Sequence, residues 1–295
     1  GMKTFSTTAR LREALANERR NGRRIAFVPT MGNLHEGHLQ LVRRAHELGE
    51  VVVVSIFVNP LQFGANEDLD KYPRTLTADK EKLFAEGVQY LFHPGVAEMY
   101  PNGMGEQSIV SVPGVSERHC GASRPGHFDG VSTVVTKLFQ IVQPDVAVFG
   151  KKDFQQLAVI RKMVADLCMP IEIEGVTTAR DLDGLAMSSR NGFLSRAHRE
   201  LAPFLHKTLQ ECREAIACGF DSYAELERHA RLSLLGAGFE PDYFSICDAR
   251  TLDQVTLDTE EIVILAAARL GETRLIDNVT LNFNPSADWG MLAAH

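Results

Sequence analysis

The segment from residue 24 to residue 45 most constrains the fold, because its pattern changes within a few residues from that of a buried strand to that of a helix. Residues 24–28 form a short apolar run that ends at a proline, as a buried parallel strand does. Gly32 allows a tight turn, and apolar residues then recur at helical spacing from about Gly37. The segment therefore predicts a strand, a tight loop and a helix, as in the first βα loop of a nucleotide-binding sheet.

Two histidines occupy the first turn of this predicted helix. The free backbone amides and the partial positive charge of a helix N-terminus favour anions. His35 and His38 are three residues apart, so both side chains can project from one side of the turn and donate hydrogen bonds to phosphate oxygens. A histidine pair at this spacing is usually structural, and the zinc-protease pattern needs the second histidine one residue later. The strand–turn–helix context favours a phosphate-handling role.

Composition and charge argue against several kinds of partner. The 295 residues suit one large domain or two of moderate size, and the apolar fraction of 44% is that of an ordinary globular protein. The net charge of −7 and the absence of an Arg/Lys-rich segment argue against nucleic-acid binding. We expect no membrane segment and no export signal. The five irregularly spaced cysteines predict free thiols and a cytoplasmic protein.

Alternating strand and helix patterns predict an α/β fold. The predicted strands are residues 24–28, 51–57, 88–92, 145–149 and 171–176. Helical patterns lie between them, and this alternation predicts a Rossmann-like parallel sheet with helices on both faces. The loop at residues 66–74 is expected to cover a site.

The order of the predicted elements changes near residue 196, and this change indicates a second domain. Helical patterns at residues 197–218 and 222–235 precede three strand patterns, at 244–247, 262–268 and 273–281. We predict a Rossmann-like domain at residues 1–178 and a smaller α+β domain at residues 179–295, with the tail around Trp289 peripheral.

Polar side chains follow two of the predicted strands. Asn59 and Gln62 come after residues 51–57, and ligands of open α/β sheets bind at the carboxyl ends of the strands. Both amides are therefore candidates to hold a small polar substrate, whereas an asparagine that caps a turn is an equally good alternative.

The run from Gly150 to Gln156 is a second candidate site at a strand end. Lys151 and Lys152 offer positive charge to a phosphate, and Asp153 can hold magnesium with waters between. Gln156, one turn into the following helix, can reach back to the same pocket.

The run from Met187 to Arg190 combines two hydroxyl groups with a guanidinium. Ser188, Ser189 and Arg190 together are well matched to a polyphosphate. A serine that caps a helix is the structural alternative, and both can hold together because a capped helix start is also an anion site.

The three clusters, in this order, resemble those of the adenylate-forming nucleotidyltransferase superfamily, which includes class I aminoacyl-tRNA synthetases with their HIGH and KMSKS motifs. More narrowly, the chain resembles the pantothenate synthetase (pantoate–β-alanine ligase) family. The similar segments are residues 29–38, 55–63, 72–75, 124–128, 149–153, 155–156, 183–191 and 274–278. Two departures are Lys151, where the family more often has Glu or Gln, and Asp181, where it usually has Glu.

This resemblance implies a two-step ligation that consumes ATP with Mg²⁺. The carboxylate of pantoate attacks the α-phosphate of ATP, which gives pantoyl adenylate and pyrophosphate. The amine of β-alanine then attacks the acyl carbon and releases AMP and pantothenate. The resemblance also implies a homodimer. We expect the C-terminal domain, hinged near Ala179, to act as a lid that closes over ATP and excludes water.

The resemblance further implies roles for individual residues. The implied catalytic residues are His35, His38, Lys152, Ser188, Ser189 and Arg190. The implied ATP-binding residues are Met31, Gly32, Asn33, Leu34, His35, Glu36, Gly37, His38, Gly150, Lys151, Lys152, Asp153, Ala179, Met187, Ser188, Ser189 and Arg190. Asn59, Gln62 and Gln156 would bind pantoate and β-alanine, and Asp153 would lie near the magnesium ion.

Two other functions stay open on the sequence alone. Another small-substrate nucleotidyltransferase would share the histidine loop but would need a basic pocket for a phosphorylated acceptor, where this chain has the amides of Asn59, Gln62 and Gln156. A nucleotide-sensing protein on the same scaffold would bind ATP without turnover.

Overall fold

The structure is a computed structural model that describes residues 1–64 and 69–282. The chain separates into two compact units, Gly1–Lys151 with Val159–Thr177, and Lys152–Ala158 with the chain from Thr178 onward. The division at residue 178 stays a prediction, and it differs from these units in the place of Lys152–Ala158. Part of the predicted covering loop at 66–74, and the whole tail around Trp289, lie outside the described residues.

Six parallel strands form the sheet of the first unit, which confirms the predicted α/β class. They are β1 (Lys3–Phe5), β2 (Ile25–Thr30), β3 (Val51–Ile56), β4 (Tyr90–Phe92), β5 (Val146–Gly150) and β6 (Glu172–Val176), in the order β1-β4-β3-β2-β5-β6. All six residues of β3 are buried, which explains its β-branched composition. Strand β1 was not predicted, because three residues are too few for a recognisable pattern.

Helices accompany this sheet in chain order. They are α1 (Thr8–Arg20), α2 (Glu36–Leu48), α3 (Leu76–Ala85), α4 (Val96–Met99), α5 (Cys120–Ser123), α6 (His127–Val142) and α7 (Phe154–Asp166). Phe139 of α6 packs edge-on against Phe27 of β2 and Phe149 of β5, with ring centroids 6.3 and 6.4 Å apart. These aromatic contacts fix α6 against the centre of the sheet.

The direction of strand addition reverses between β2 and β5. From β2 the chain adds β3 and then β4 on one side, and it later adds β5 and β6 on the other. Ligands of open parallel sheets bind outside the carboxyl ends of the strands at such a reversal. The loop after β2 carries the two histidines, and Lys151 follows the end of β5.

The second unit contains three further helices and an antiparallel sheet. The helices are α8 (Arg196–Leu201), α9 (Phe204–Ala217) and α10 (Tyr223–Gly236), and the strands are β7 (Glu240–Asp248), β8 (Glu261–Leu270) and β9 (Thr273–Asn282). β8 pairs with both neighbours. The prediction of one helix at 197–218 is wrong: the chain turns at Ala202 and Pro203, and proline cannot continue a helix from its preceding turn.

We expect two helical glycines to respond to alanine in opposite directions. A Cβ atom on Gly130 of α6 would lie 2.6 Å from the Cα atom of Gln62, whereas one on Gly236 of α10 meets nothing within 4 Å. Gly130→Ala should therefore lower the free energy of unfolding by about 1–3 kcal/mol. Gly236→Ala should raise it by about 0.5–1 kcal/mol through helix propensity. Urea unfolding of both variants measures the difference, and equal changes would contradict the close approach.

Candidate active site

The two histidines cap the helix that follows β2. His35 is the N-cap residue of α2, and its Nδ1 accepts a hydrogen bond from the backbone N–H of Gly37 at 3.0 Å. The Nδ1 of His38 accepts from the backbone N–H of His35 at 3.1 Å. The two rings lie side by side, with centroids 4.1 Å apart. The helix start therefore places both imidazoles on the same side of its first turn.

These hydrogen bonds determine which nitrogen of each ring carries the proton. A backbone N–H can only donate, so the Nδ1 atoms of His35 and His38 act as acceptors and carry no proton. In such a neutral ring the proton is on Nε2. Each imidazole therefore offers an Nε2–H donor on the edge opposite the backbone, which suits an anionic ligand.

Helix α3 holds the loop that precedes these histidines. The carboxylate of Asp79, a residue only 1% exposed, accepts hydrogen bonds from the backbone N–H groups of Asn33 at 2.9 Å and Leu34 at 3.0 Å. Lys82, one turn later, donates from Nζ to the carbonyl oxygen of Leu34 at 2.8 Å. Gly32 has a φ of +81°, which glycine adopts without strain. Asp79 and Lys82 were not predicted to have this role, because the sequence of a helix does not show which distant groups its polar side chains contact.

The structure brings Asn59 and Gln62 together after β3. The Nδ2 of Asn59 donates to Gln62 Oε1 and to the carbonyl oxygen of Gly130, each at 3.1 Å. Its Oδ1 accepts from the backbone N–H of Leu61 at 3.3 Å and from the hydroxyl of Tyr100 at 2.6 Å. Asn59 is 1% exposed, and these four bonds use the full capacity of its amide. A direct contact between Asn59 and a substrate would have to replace one of them.

In the second unit, the structure brings together the predicted lysine, serine and arginine. Lys152 and Ser188 line one small cavity, together with Asp277. Burial lowers the pKa of Lys152, the carboxylates of Asp153 and Asp277 oppose this shift, and the charge of Arg190 adds to it. A partly desolvated cluster of positive charge is a suitable place for an anion.

Strand β9 supports the backbone beneath this cluster. The side-chain amide of Asn278 donates to the carbonyl oxygen of Lys152 at 2.9 Å. Asp277 accepts two hydrogen bonds from Arg180, at 2.7 and 2.9 Å. No role was predicted for Asp277 and Asn278, although a polar pair directly after Leu275 and Ile276 in a predicted strand could have indicated one.

Asp153 is the residue that we predicted to lie near magnesium. Its Oδ1 accepts a hydrogen bond from the backbone N–H of Gln156 at 3.3 Å, at the start of α7. In residues 1–64 and 69–282 no group of three or more acidic, histidine or cysteine side chains could hold a metal ion. A single carboxylate fits an ion that is held mainly by phosphate oxygens and water.

The other predicted ATP-binding residues differ in exposure. Gly32 and Leu34 are buried in the loop before α2, whereas Lys151 and Arg190 are exposed. Glu36 forms an ion pair with Arg43 on the surface of α2. The other predicted ATP-binding residues that are partly exposed are Met31, Asn33, Gly37, Gly150, Ala179, Met187 and Ser189. Their contacts with a nucleotide stay predictions.

No helix in the described part of the chain combines the length and the apolar character needed to cross a membrane.

Comparisons with known proteins agree on one family. The family model for pantoate-beta-alanine ligase matches residues 3–280. The pantothenate synthetase of Ectopseudomonas mendocina (strain ymp) is 59% identical over 278 residues, which cover 94% of this chain and 98% of the relative. That of Hahella chejuensis (strain KCTC 2396) is 58% identical over 281 residues, with 95% and 99% coverage.

Two solved structures are similar over nearly their whole length. Pantothenate synthetase from Thermus thermophilus has a TM-score of 0.87 and 48% identity, and the match covers 94% of this chain and 99% of that one. Pantoate-beta-alanine ligase from Francisella tularensis, complexed with beta-gamma ATP and beta-alanine, has a TM-score of 0.77 and 31% identity, with 95% and 97% coverage. Both the family model and the full-length relatives lead to the same assignment: the chain belongs to the pantoate–β-alanine ligase family.

Proposed function

We propose that this enzyme joins pantoate and β-alanine into pantothenate at the expense of ATP, through a pantoyl-adenylate intermediate. Family membership over residues 3–280 gives the reaction class. The observation that carries the chemistry is the pair of imidazoles at the start of α2, whose Nδ1 atoms are both occupied by backbone donors. That arrangement presents N–H donors to an anion without any change of protonation.

In the first step, a carboxylate oxygen of pantoate forms a bond to the α-phosphorus of ATP, and the bond from that phosphorus to the pyrophosphate oxygen breaks. Negative charge grows on the departing pyrophosphate, so catalysis consists of positioning and electrostatic stabilisation. The Nε2–H groups of His35 and His38 donate hydrogen bonds to these oxygens. The further donors that we assign to the same triphosphate are Lys152, Ser188, Ser189 and Arg190.

In this proposal, backbone groups and residues with small side chains bind the rest of the nucleotide. Gly37 lets the adenosine approach the backbone of α2, and the backbone of Lys152, Asp153 and Ala179 borders the base and ribose. Mg²⁺, when bound with ATP, neutralises phosphate charge. Asp153 is the carboxylate that would lie nearest to it.

In the second step, the amine of β-alanine forms a bond to the acyl carbon, AMP leaves with the electrons of the acyl–oxygen bond, and the nitrogen loses a proton. Gln62 and Gln156 provide the amides for the two small substrates. The relative from Francisella tularensis, crystallised with beta-gamma ATP and beta-alanine, supports the use of both compounds. No covalent intermediate with the protein is needed, because the acyl adenylate is already activated.

The proposal also includes a homodimer in the cytoplasm. The homodimer comes from the family resemblance alone. All five cysteines are free thiols in the structure, three of them buried, which suits a reducing compartment.

Isotope exchange between ATP and pyrophosphate tests the proposed reaction. We expect exchange that depends on pantoate and needs no β-alanine, and AMP release that needs both substrates. Exchange that depends on a phosphorylated acceptor instead would identify another nucleotidyltransferase. ATP binding without exchange would identify a sensor.

We expect His38→Ala to lower turnover by about a hundredfold to a thousandfold, the usual effect of removing one donor to a developing negative charge. His46→Ala is the matched control on the same helix, because the Nε2 of His46 contacts the carbonyl oxygen of Glu86 at 2.8 Å. Turnover of the control should stay within about twofold of the wild type. A twofold loss in His38→Ala would remove His38 from the transition state.

We expect ATP binding to be accompanied by proton uptake at Lys152, at pH values between the pKa of this lysine in the free enzyme and its pKa in the complex. Burial holds the pKa of Lys152 below its ordinary value of 10.5 in the free enzyme, and a bound triphosphate raises it again. Between these two pKa values binding therefore takes up a proton, and ATP affinity falls as pH rises.

Calorimetric titration with a non-hydrolysable ATP analogue, in buffers of different ionisation enthalpy, measures this uptake. Lys152→Arg keeps the positive charge but does not titrate in this range, so the lysine-dependent part of the uptake should disappear. Equal uptake in both proteins would assign the proton to another group.

A further inference from the structure

A chain of hydrogen bonds links a buried tyrosine to the proposed substrate-binding glutamine. The hydroxyl of Tyr100 donates to Asn59 Oδ1 at 2.6 Å, and Asn59 Nδ2 donates to Gln62 Oε1 at 3.1 Å. None of these three side chains belongs to the phosphate-binding clusters. The direction of each bond determines which end of the Gln62 amide is available to a ligand.

Two backbone groups fix the orientation of the Asn59 amide. The backbone N–H of Leu61, which can only donate, contacts one side-chain atom at 3.3 Å, so this atom is the oxygen. The carbonyl of Gly130, which can only accept, contacts the other atom at 3.1 Å, so this atom is the nitrogen. A flipped Asn59 would place oxygen against oxygen at Gly130, and an N–H against the N–H of Leu61.

Tyr100 supports the same orientation of the Asn59 amide, because its hydroxyl also contacts Oδ1. Its hydroxyl is deeply buried, and burial raises its pKa to about 12, so the hydroxyl keeps its proton at neutral pH. The ring packs near that of Phe57, with centroids 6.2 Å apart, and Lys137 Nζ lies 4.5 Å from its centre. The hydroxyl is therefore a permanent donor on a fixed ring.

The backbone of Gln62 is equally constrained. Its carbonyl oxygen lies 3.0 Å from the Nδ1 of His127, which must donate to it. Gly130 lies so close to the Gln62 backbone that no side chain fits between them. Both contacts come from α6, so this helix holds the main chain of Gln62 while Asn59 holds its side chain.

One end of the Gln62 amide remains available. Because Oε1 accepts from Asn59, Nε2 is the other end of the amide. Within residues 1–64 and 69–282 no group accepts a hydrogen bond from Nε2, and this atom is not buried. It is a donor at the carboxyl end of β3, where ligands of such sheets bind.

We infer that Tyr100 and Asn59 are positioning residues that hold Gln62 with Nε2 toward the substrate, so that this position selects an acceptor oxygen of pantoate. This inference rests on the proposed function, in which Gln62 binds pantoate. It changes the role of Asn59 from substrate contact to orientation of Gln62. It also gives Tyr100 a role that its sequence position did not indicate.

The first test removes the Tyr100 hydroxyl and keeps its ring. We expect Tyr100→Phe to raise the KM for pantoate in ATP–pyrophosphate exchange about threefold to tenfold, the range expected for one hydrogen bond. The KM for ATP should change less than about twofold. Tyr90→Phe is the matched control, because this buried tyrosine donates to Glu18 Oε1 at 2.9 Å in the same unit. The control should leave the KM for pantoate unchanged.

The second test reverses the polarity of the exposed end of Gln62. Gln62→Glu can still accept from Asn59 but presents a carboxylate oxygen to pantoate. We expect it to raise the KM for pantoate about a hundredfold, and Gln62→Ala only about tenfold, because Gln62→Glu adds repulsion to the lost bond. Gln62→Glu with a KM equal to or below that of Gln62→Ala would show that an acceptor is wanted there, and would overturn the inference.

A double-mutant cycle tests whether Tyr100 acts through Gln62. In the Gln62→Ala background, Tyr100→Phe should change the KM for pantoate less than about twofold. An effect as large as in the wild-type background would show that Tyr100 acts independently, and would overturn the relay while leaving the proposed function intact. Absence of pantoate-dependent exchange in the wild-type enzyme would overturn the proposed function, and the inference with it.

Discussion

The loop that carries His35 and His38 depends on one buried carboxylate. Asp79 accepts hydrogen bonds from two successive backbone N–H groups, those of Asn33 and Leu34, while Lys82 binds the carbonyl oxygen of Leu34. Helix α3 thereby satisfies both polar groups of the Leu34 backbone, which a buried residue requires. His35 follows directly in the chain, so the start of α2 is held in place from a separate helix.

The same kind of hydrogen bonding occurs in two parts of the candidate site in the first unit, the histidine pair and the Asn59–Gln62 pair. Backbone groups, whose polarity cannot change, determine the polarity of the neighbouring side chains. The N–H groups of Gly37 and His35 make the two imidazoles present Nε2–H donors, and the backbone contacts of Asn59 make Gln62 present Nε2. Both places therefore offer donors, as the proposed anionic substrates require. These donors are organised before any substrate arrives, so little reorganisation is needed on binding.

The sheet could be predicted from the sequence because its central strands β2, β3 and β5 are continuous apolar runs that are almost entirely buried. The positions of the polar residues that follow these strands could also be predicted, since a parallel sheet gathers the carboxyl ends of its strands at one edge. Contacts between residues far apart in the chain could not be predicted from the sequence. Asp79 lies 46 residues from the N–H of Asn33, and Tyr100 lies 41 residues from Asn59. Only tertiary packing brings such pairs together.

The two outer strands of the parallel sheet affect how the molecule meets its neighbours. On one side β1 is only three residues long and begins with Lys3, and it covers the apolar strand β4. On the other side β6 carries Glu172 and Glu174, which pair with arginines elsewhere in the first unit. Short or charged outer strands are poor templates for a strand of another molecule. The sheet thus ends on both sides in a form that opposes aggregation, although its interior is among the most apolar parts of the chain.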